Sequence, residues 1–93
     1  MGSPLNAKGN TPVNITIDNL IENGIYAHNY HQNPSFGSPE NRHGLVIVLN
    51  GGNNTANGGK PILQVFVDAT QNLLFFRSSW TGGWSDWKQI STL

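Results

Sequence analysis

The chain has no cysteine. Disulfide staples, thiolate metal sites and cysteine nucleophiles are therefore excluded. Charge is scarce too: five basic and five acidic side chains make up 11% of 93 residues and cancel. Nucleic-acid binders and proteins that dock on anionic membranes normally display a basic stripe, so neither partner is expected. No apolar run approaches the ~18 residues needed to span a bilayer, which speaks against membrane insertion. Gly-x-Ser-x-Gly and Gly-Lys-Ser/Thr are both missing, and with them the usual serine-hydrolase elbow and phosphate cradle.

Amides and glycine take the place of charge, with thirteen Asn beside eleven Gly. A chain of this length builds one small core, and its surface is largely uncharged and amide-rich. Residues 1–12 are polar, hold two prolines and show no periodicity, so they read as a lead-in or linker. Within them, Met1-Gly2-Ser3-Pro4 reads as an expression scar. Residues 13–93 then form a single domain.

Ile17, Leu20 and Ile21 recur at helical spacing, which predicts one short N-terminal helix. Thr16 or Asp18 would cap its start and Gly24 its end. Strands are expected at 24–30, 45–49, 62–68, 73–79 and 84–90. The run Leu45-Val46-Ile47-Val48-Leu49 has no polar member and is mostly β-branched, a pattern that implies burial on both faces. In the next strand Leu63, Val65 and Val67 share one face. Ala69 to Asn72 reads as a tight turn joining two hairpin strands. The expected fold is α+β but β-dominated: a small antiparallel sheet of about four to five strands, one short helix and long Gly/Asn loops.

Tyr26, Phe66, Phe75, Trp84 and Trp87 are the expected aromatic core, because a domain with few large apolar residues needs their area. Arg77 and Lys88 are placed to stack on the tryptophans. The carboxylates are Asp18, Glu22, Glu40, Asp68 and Asp86. Asp68, ending a strand before a turn, suits an Asx hydrogen bond, and Asp86 suits a surface pairing with Lys88 or Arg77. An enzyme is not expected; a hydrolase reading would rest on Asp68 and Asp86. His28 and His31 are three apart, which on a strand points them to opposite faces. With His43 and Glu40 they make a poor zinc set, so no metal and no cofactor is expected.

Several short segments together resemble the pyocin-knob domain of phage, prophage and tailocin tail fibres. They are Ile17-Asp18-Asn19-Leu20, Glu22-Asn23-Gly24-Ile25-Tyr26, the apolar strand 44–49 and Gln64-Val65-Phe66-Val67-Asp68. Phe75-Phe76-Arg77-Ser78 and Gly83-Trp84-Ser85-Asp86-Trp87-Lys88 complete the set. The resemblance covers roughly residues 15–91, in the family's order. The Gly/Asn loop at 50–60 is longer than usual, and Trp80 stands where many relatives carry another residue.

The resemblance implies a knob-like module of a tail fibre, located in a virion tail or tailocin. Such a fibre is a homotrimer whose partners are a bacterial surface glycan or protein receptor and the neighbouring fibre segments. The ligand-facing candidates are Trp80, Tyr30, His31, Asn53 and Asn54, in or beside the loops 31–43, 50–60 and 80–84. Asn and Gln amides suit sugar hydroxyls because they donate and accept together. The alternative is a free-standing carbohydrate-binding module appended to a hydrolase.

Overall fold

The computed structural model of the chain describes residues 6–12, 15–30, 36–52, 59–80 and 83–90. Six strands form one sheet in chain order: β1 (Ala7–Asn10), β2 (Gly24–His28), β3 (Gly44–Asn50), β4 (Ile62–Asp68), β5 (Leu73–Ser79) and β6 (Lys88–Ile90). Strands β2 to β6 are an antiparallel meander, whereas β1 lies parallel to β2 and makes the sheet mixed.

The β-dominated expectation holds in its outline, and β4 and β5 fall where the alternation and turn signals put them. The details differ in three ways. First, Ala7–Asn10, expected in a linker, is an edge strand: Ile25 donates its amide to the Asn6 carbonyl and Thr11 donates its own to the Ala27 carbonyl. Second, the expected helix is a single 3-10 turn, Ile17–Asn19, and Gly24 opens β2 rather than ending a helix. Third, the last strand begins only at Lys88. Trp84 makes an isolated bridge to Ser79, and residues 85–87 are irregular.

Register assigns every side chain to a face, because successive strand residues point opposite ways. One face carries the row Tyr26, Val46, Phe66, Phe75 and the row Val48, Gln64, Arg77. The 3-10 turn, Leu20, Phe36, Pro39 and the two C-terminal tryptophans cover it. Ile17, Leu20, Tyr26, Phe36, Val46, Val48, Phe66 and Phe75 form the buried core. Each such side chain contributes roughly 1.5–3 kcal/mol by leaving water. The other face carries the rows Ile25–Ile47–Val65–Phe76 and Leu45–Val67–Leu74–Ile90, whose side chains are half-buried or exposed. The two-sided burial expected of 45–49 is therefore not realised within one chain: Val46 and Val48 are fully buried, while Leu45 is 38% and Leu49 42% exposed.

Gln64 explains why a turn replaces the helix. It is fully buried in β4, and its amide donates to the carbonyls of Ile17 at 2.7 Å and Leu20 at 2.9 Å. A helix continuing past Leu20 would need those carbonyls for its own amides. Ile21, the residue that completed the helical spacing, is instead 46% exposed. Close approach fixes one glycine: a Cβ on Gly44 would collide with the Val67 carbonyl oxygen on the adjacent strand, so only glycine fits there.

Replacing Gln64 with Leu leaves both carbonyls and the Arg77 guanidinium without their buried partner. Unfolding in urea should show a loss of about 3–5 kcal/mol, against less than about 1 kcal/mol for Gln71→Leu at the exposed turn. Equal losses for the two variants would show that Gln64 does not hold the covering turn.

Candidate functional site

The sheet's two ends carry different chemistry. At one end, where β3 and β5 finish and β4 begins, lies a groove of about 490 Å³ lined among others by Asn23, Leu49, Asn50, Leu63, Ser78 and Trp80. Trp80 follows directly on β5 and is 49% exposed. Its indole rests on Gly59, where a Cβ would collide with the ring, and its carbonyl accepts the Lys60 amide. The side chain is thus seated from one side and open from the other.

Asn23 and Asn50 frame the groove through a reciprocal lock. Asn50 donates its backbone amide to Asn23 Oδ1 at 2.6 Å, and Asn23 Nδ2 donates to the Asn50 carbonyl at 3.1 Å. The Asn50 side chain donates to the Ile21 carbonyl at 2.7 Å and accepts the Gly52 amide at 2.8 Å. Each primary amide retains a second hydrogen. Sequence reasoning named Asn53 and Asn54 rather than these two, since nothing local marks which of thirteen Asn the fold locks together.

Beside this end, on the covered face, Arg77 is gripped on all sides. Its guanidinium lies 4.3 Å from the Trp84 ring centroid and 4.8 Å from that of Trp87. Its Nε donates to Gln64 Oε1 at 2.8 Å, and one Nη pairs with Asp18 Oδ1 at 2.7 Å. The Trp84 indole donates to the Asp18 carbonyl at 3.1 Å. Of the five expected core aromatics, Tyr26, Phe66 and Phe75 are buried. Trp84 and Trp87 are half-buried, because they wall the guanidinium rather than fill the centre. Irregular backbone at 85–87 lets both rings reach the same face; in a regular strand, residues three apart would point oppositely. Lys88 stands opposite Phe76, on the other face of the sheet.

Tyr30 lies at the far end of the sheet from Trp80, just beyond β2. Its backbone amide donates to His43 Nδ1 at 2.9 Å, and the two rings meet edge to face. Tyr30 and Trp80 are separated by the full seven residues of a strand, roughly 20 Å, so the fold does not join them in one site. His31, Asn53 and Asn54 lie outside the described residues.

Also at the far end, Asp68 caps the β4–β5 turn. Its Oδ1 accepts from the Thr70 amide and hydroxyl and from the Gln71 amide, while Oδ2 pairs with Arg42 at 2.8 Å. These hydrogen bonds, the Thr70 hydroxyl and Arg42 foremost, hold its pKa down at about 2. Asp18 pairs with Arg77, Glu40 with Arg42 and Glu22 with Lys8. Among the described residues, no carboxylate lines the groove beside Trp80. A second groove, of about 400 Å³, is lined by Pro39, Glu40, Phe75, Trp87 and Gln89, with Glu40 its one carboxylate among the described residues. Neither therefore sets two acids across a gap, as glycoside hydrolysis requires.

His28 is buried against Phe36, ring centroids 4.5 Å apart, and shares a 3.1 Å hydrogen bond with Thr11 Oγ1. Its Nε2 is buried without a hydrogen-bond partner. Among the described residues no three His, Asp or Glu side chains converge as metal ligands do. Comparison with protein-family models, with curated proteins and with solved structures finds no match to this chain.

Burial, and secondarily the proximity of His43, push the His28 pKa below its ordinary 6.5. The unfolded chain then takes up the proton first, so stability holds above about pH 6.5 and declines as pH falls below it. The stability Asp68 contributes is lost only as pH falls from its ordinary 3.8 towards about 2, below this window. Urea midpoints should fall between about pH 6.5 and 5, and His28→Phe should flatten that slope. An unchanged slope in the variant would place the titrating group elsewhere.

Proposed function

We propose that this chain is a non-catalytic binding module of a phage or tailocin tail fibre, and that the groove beside Trp80 contacts a bacterial surface saccharide. The half-exposed Trp80 indole over an amide- and hydroxyl-edged groove carries the reading. An indole face stacks on the apolar C–H face of a sugar ring. The spare hydrogens of Asn23 and Asn50 and the hydroxyl of Ser78 suit ring hydroxyls. The seat on Gly59 presets the indole, which lowers the entropy lost on binding.

The tail-fibre part of the reading rests on the segments that resemble the pyocin knob. Asp18, Gln64, Arg77, Trp84 and Trp87 come from four separate segments of that pattern, and they meet around one guanidinium. A pattern whose parts meet in one packed node is what a shared fold requires, and this supports the resemblance. A single site of this size binds weakly, and repetition along a fibre raises avidity without new contacts.

The test is saturation-transfer NMR of the chain against a panel of bacterial lipopolysaccharide core oligosaccharides and their component monosaccharides at millimolar concentration. At least one sugar should receive saturation through its ring C–H protons. Trp80→Ala should weaken that binding at least about tenfold, some 1.4 kcal/mol, with the urea midpoint unchanged. A flat response across the panel, or binding that survives Trp80→Ala, would overturn the saccharide reading.

A further inference from the structure

Hydrogen-bonding groups are divided unevenly around the groove beside Trp80. Asn23 Oδ1 already accepts the main-chain amide of Asn50, and Asn50 Oδ1 accepts that of Gly52. A main-chain N–H can only donate, so these partners fix which side-chain atom is oxygen and which is nitrogen. Both nitrogens are fixed in turn, on the carbonyls of Asn50 and Ile21. What each amide still offers is one N–H. The polar rim therefore presents two donors, while the oxygens of the same side chains are engaged.

The floor is of another kind. Leu49 of β3 pairs with Leu63 of β4, and Leu63 pairs with Ser78 of β5. This cross-strand row sets two aliphatic side chains and one hydroxyl side by side. Leu49 is 42% exposed and Leu63 half-buried, beside the half-exposed Trp80. Among the described residues, no charged side chain lines the groove.

We infer that this groove recognises its sugar by an acetamido substituent, the ligand being a neutral N-acetylhexosamine. The inference rests on the saccharide reading of the groove and adds to it the substituent that is selected. An acetamido group joins an acceptor, a donor and a methyl within four heavy atoms. Its carbonyl accepts the spare N–H groups of Asn23 and Asn50. Its methyl covers Leu49 and Leu63, which otherwise face water. Its N–H donates to the hydroxyl of Ser78, at the end of the same row. The apolar face of the sugar ring is left for the Trp80 indole.

Other substituents meet only part of this demand. A hydroxyl serves the rim but leaves both leucines wet. A carboxylate is a stronger acceptor, yet it would shed water in a groove with no cation to receive its charge. An ammonium brings donors to a rim of donors. The methyl of a deoxyhexose such as rhamnose covers the floor and leaves the two amide hydrogens unmet.

The test is an amide NMR titration of the isotope-labelled full chain with methyl glycosides. The set is N-acetylglucosamine, N-acetylgalactosamine, glucose, galactose, rhamnose, glucosamine and glucuronic acid. At least one N-acetylhexosamine should bind about tenfold or more tighter than its parent hexose, with glucosamine and glucuronic acid weaker still. The shifts should centre on the Asn23 and Asn50 side-chain amides and the Trp80 indole. Leu49→Ser, at an exposed position outside the core, should shrink the acetamido-to-parent ratio at least about threefold. Should that variant unfold, the ranking and the shift map of the unaltered chain decide. Equal affinity for acetamido and parent sugars overturns this inference and leaves the saccharide reading standing. So does rhamnose ranking first, in favour of the aliphatic floor alone. Shifts centred away from Asn23, Asn50 and Trp80, or a ratio undiminished in folded Leu49→Ser, overturn it as well. Silence across this set while a core oligosaccharide binds overturns this inference alone. Silence towards both sets overturns the saccharide reading with it.

Discussion

The buried contact between Gln64 and Arg77 is the constraint on which the rest of the structure depends. One side-chain amide, fully enclosed, satisfies two main-chain carbonyls with its nitrogen and a guanidinium with its oxygen. Removing either polar group strands the other in a low-dielectric interior, where an unpaired charge costs several kcal/mol. The node therefore acts as an all-or-none fastener. It holds the 3-10 turn on the sheet, orders Asp18, and gives Trp84 and Trp87 a cation to pack against. Through those contacts, segments far apart in sequence become one covering layer over Val46, Val48, Phe66 and Phe75.

Specificity rather than raw stability is the natural consequence of that arrangement. An apolar pair in place of Gln64 and Arg77 would bury as readily, but it would not choose among overlying segments. A fork of donors with fixed directions accepts one placement of the turn and one of the tryptophans. Polarity sits on the covered face because that face needs a register, and the register comes from hydrogen bonds. The open face needs none within the chain, and its aliphatic side chains follow only the alternation of the strands.

The two ends of the sheet divide the remaining roles. At the far end, Asp68, Arg42, Thr70 and Gln71 satisfy one another and close the β4–β5 turn. At the near end, Asn23 and Asn50 tie the segment before β2 to the end of β3, and Trp80 is left half-exposed over the groove. Where the polar groups are consumed the surface has little to offer a ligand. Where an indole face and spare amide hydrogens remain, it has something to offer, which is why the saccharide reading is placed there.

The sequence by itself determined much of the strand plan. Period-two alternation and a turn of Ala69 to Asn72 located β4 and β5, and the β-branched run located β3. Scarcity of large apolar residues pointed to Tyr26, Phe66 and Phe75 as core. These are local signals, read within a few residues. Which face would be covered was not legible, because β3 is apolar on both sides and alternation alone has no sign. The short helix failed because its competitor, the Gln64 amide, lies 47 residues from Ile17. Only tertiary structure could place two tryptophans on one guanidinium, put Trp80 and Tyr30 at opposite ends, or recruit Ala7–Asn10 as an edge strand. Each of those outcomes depends on partners far away along the chain, whose hydrogen bonds and contacts exist only once the sheet has closed.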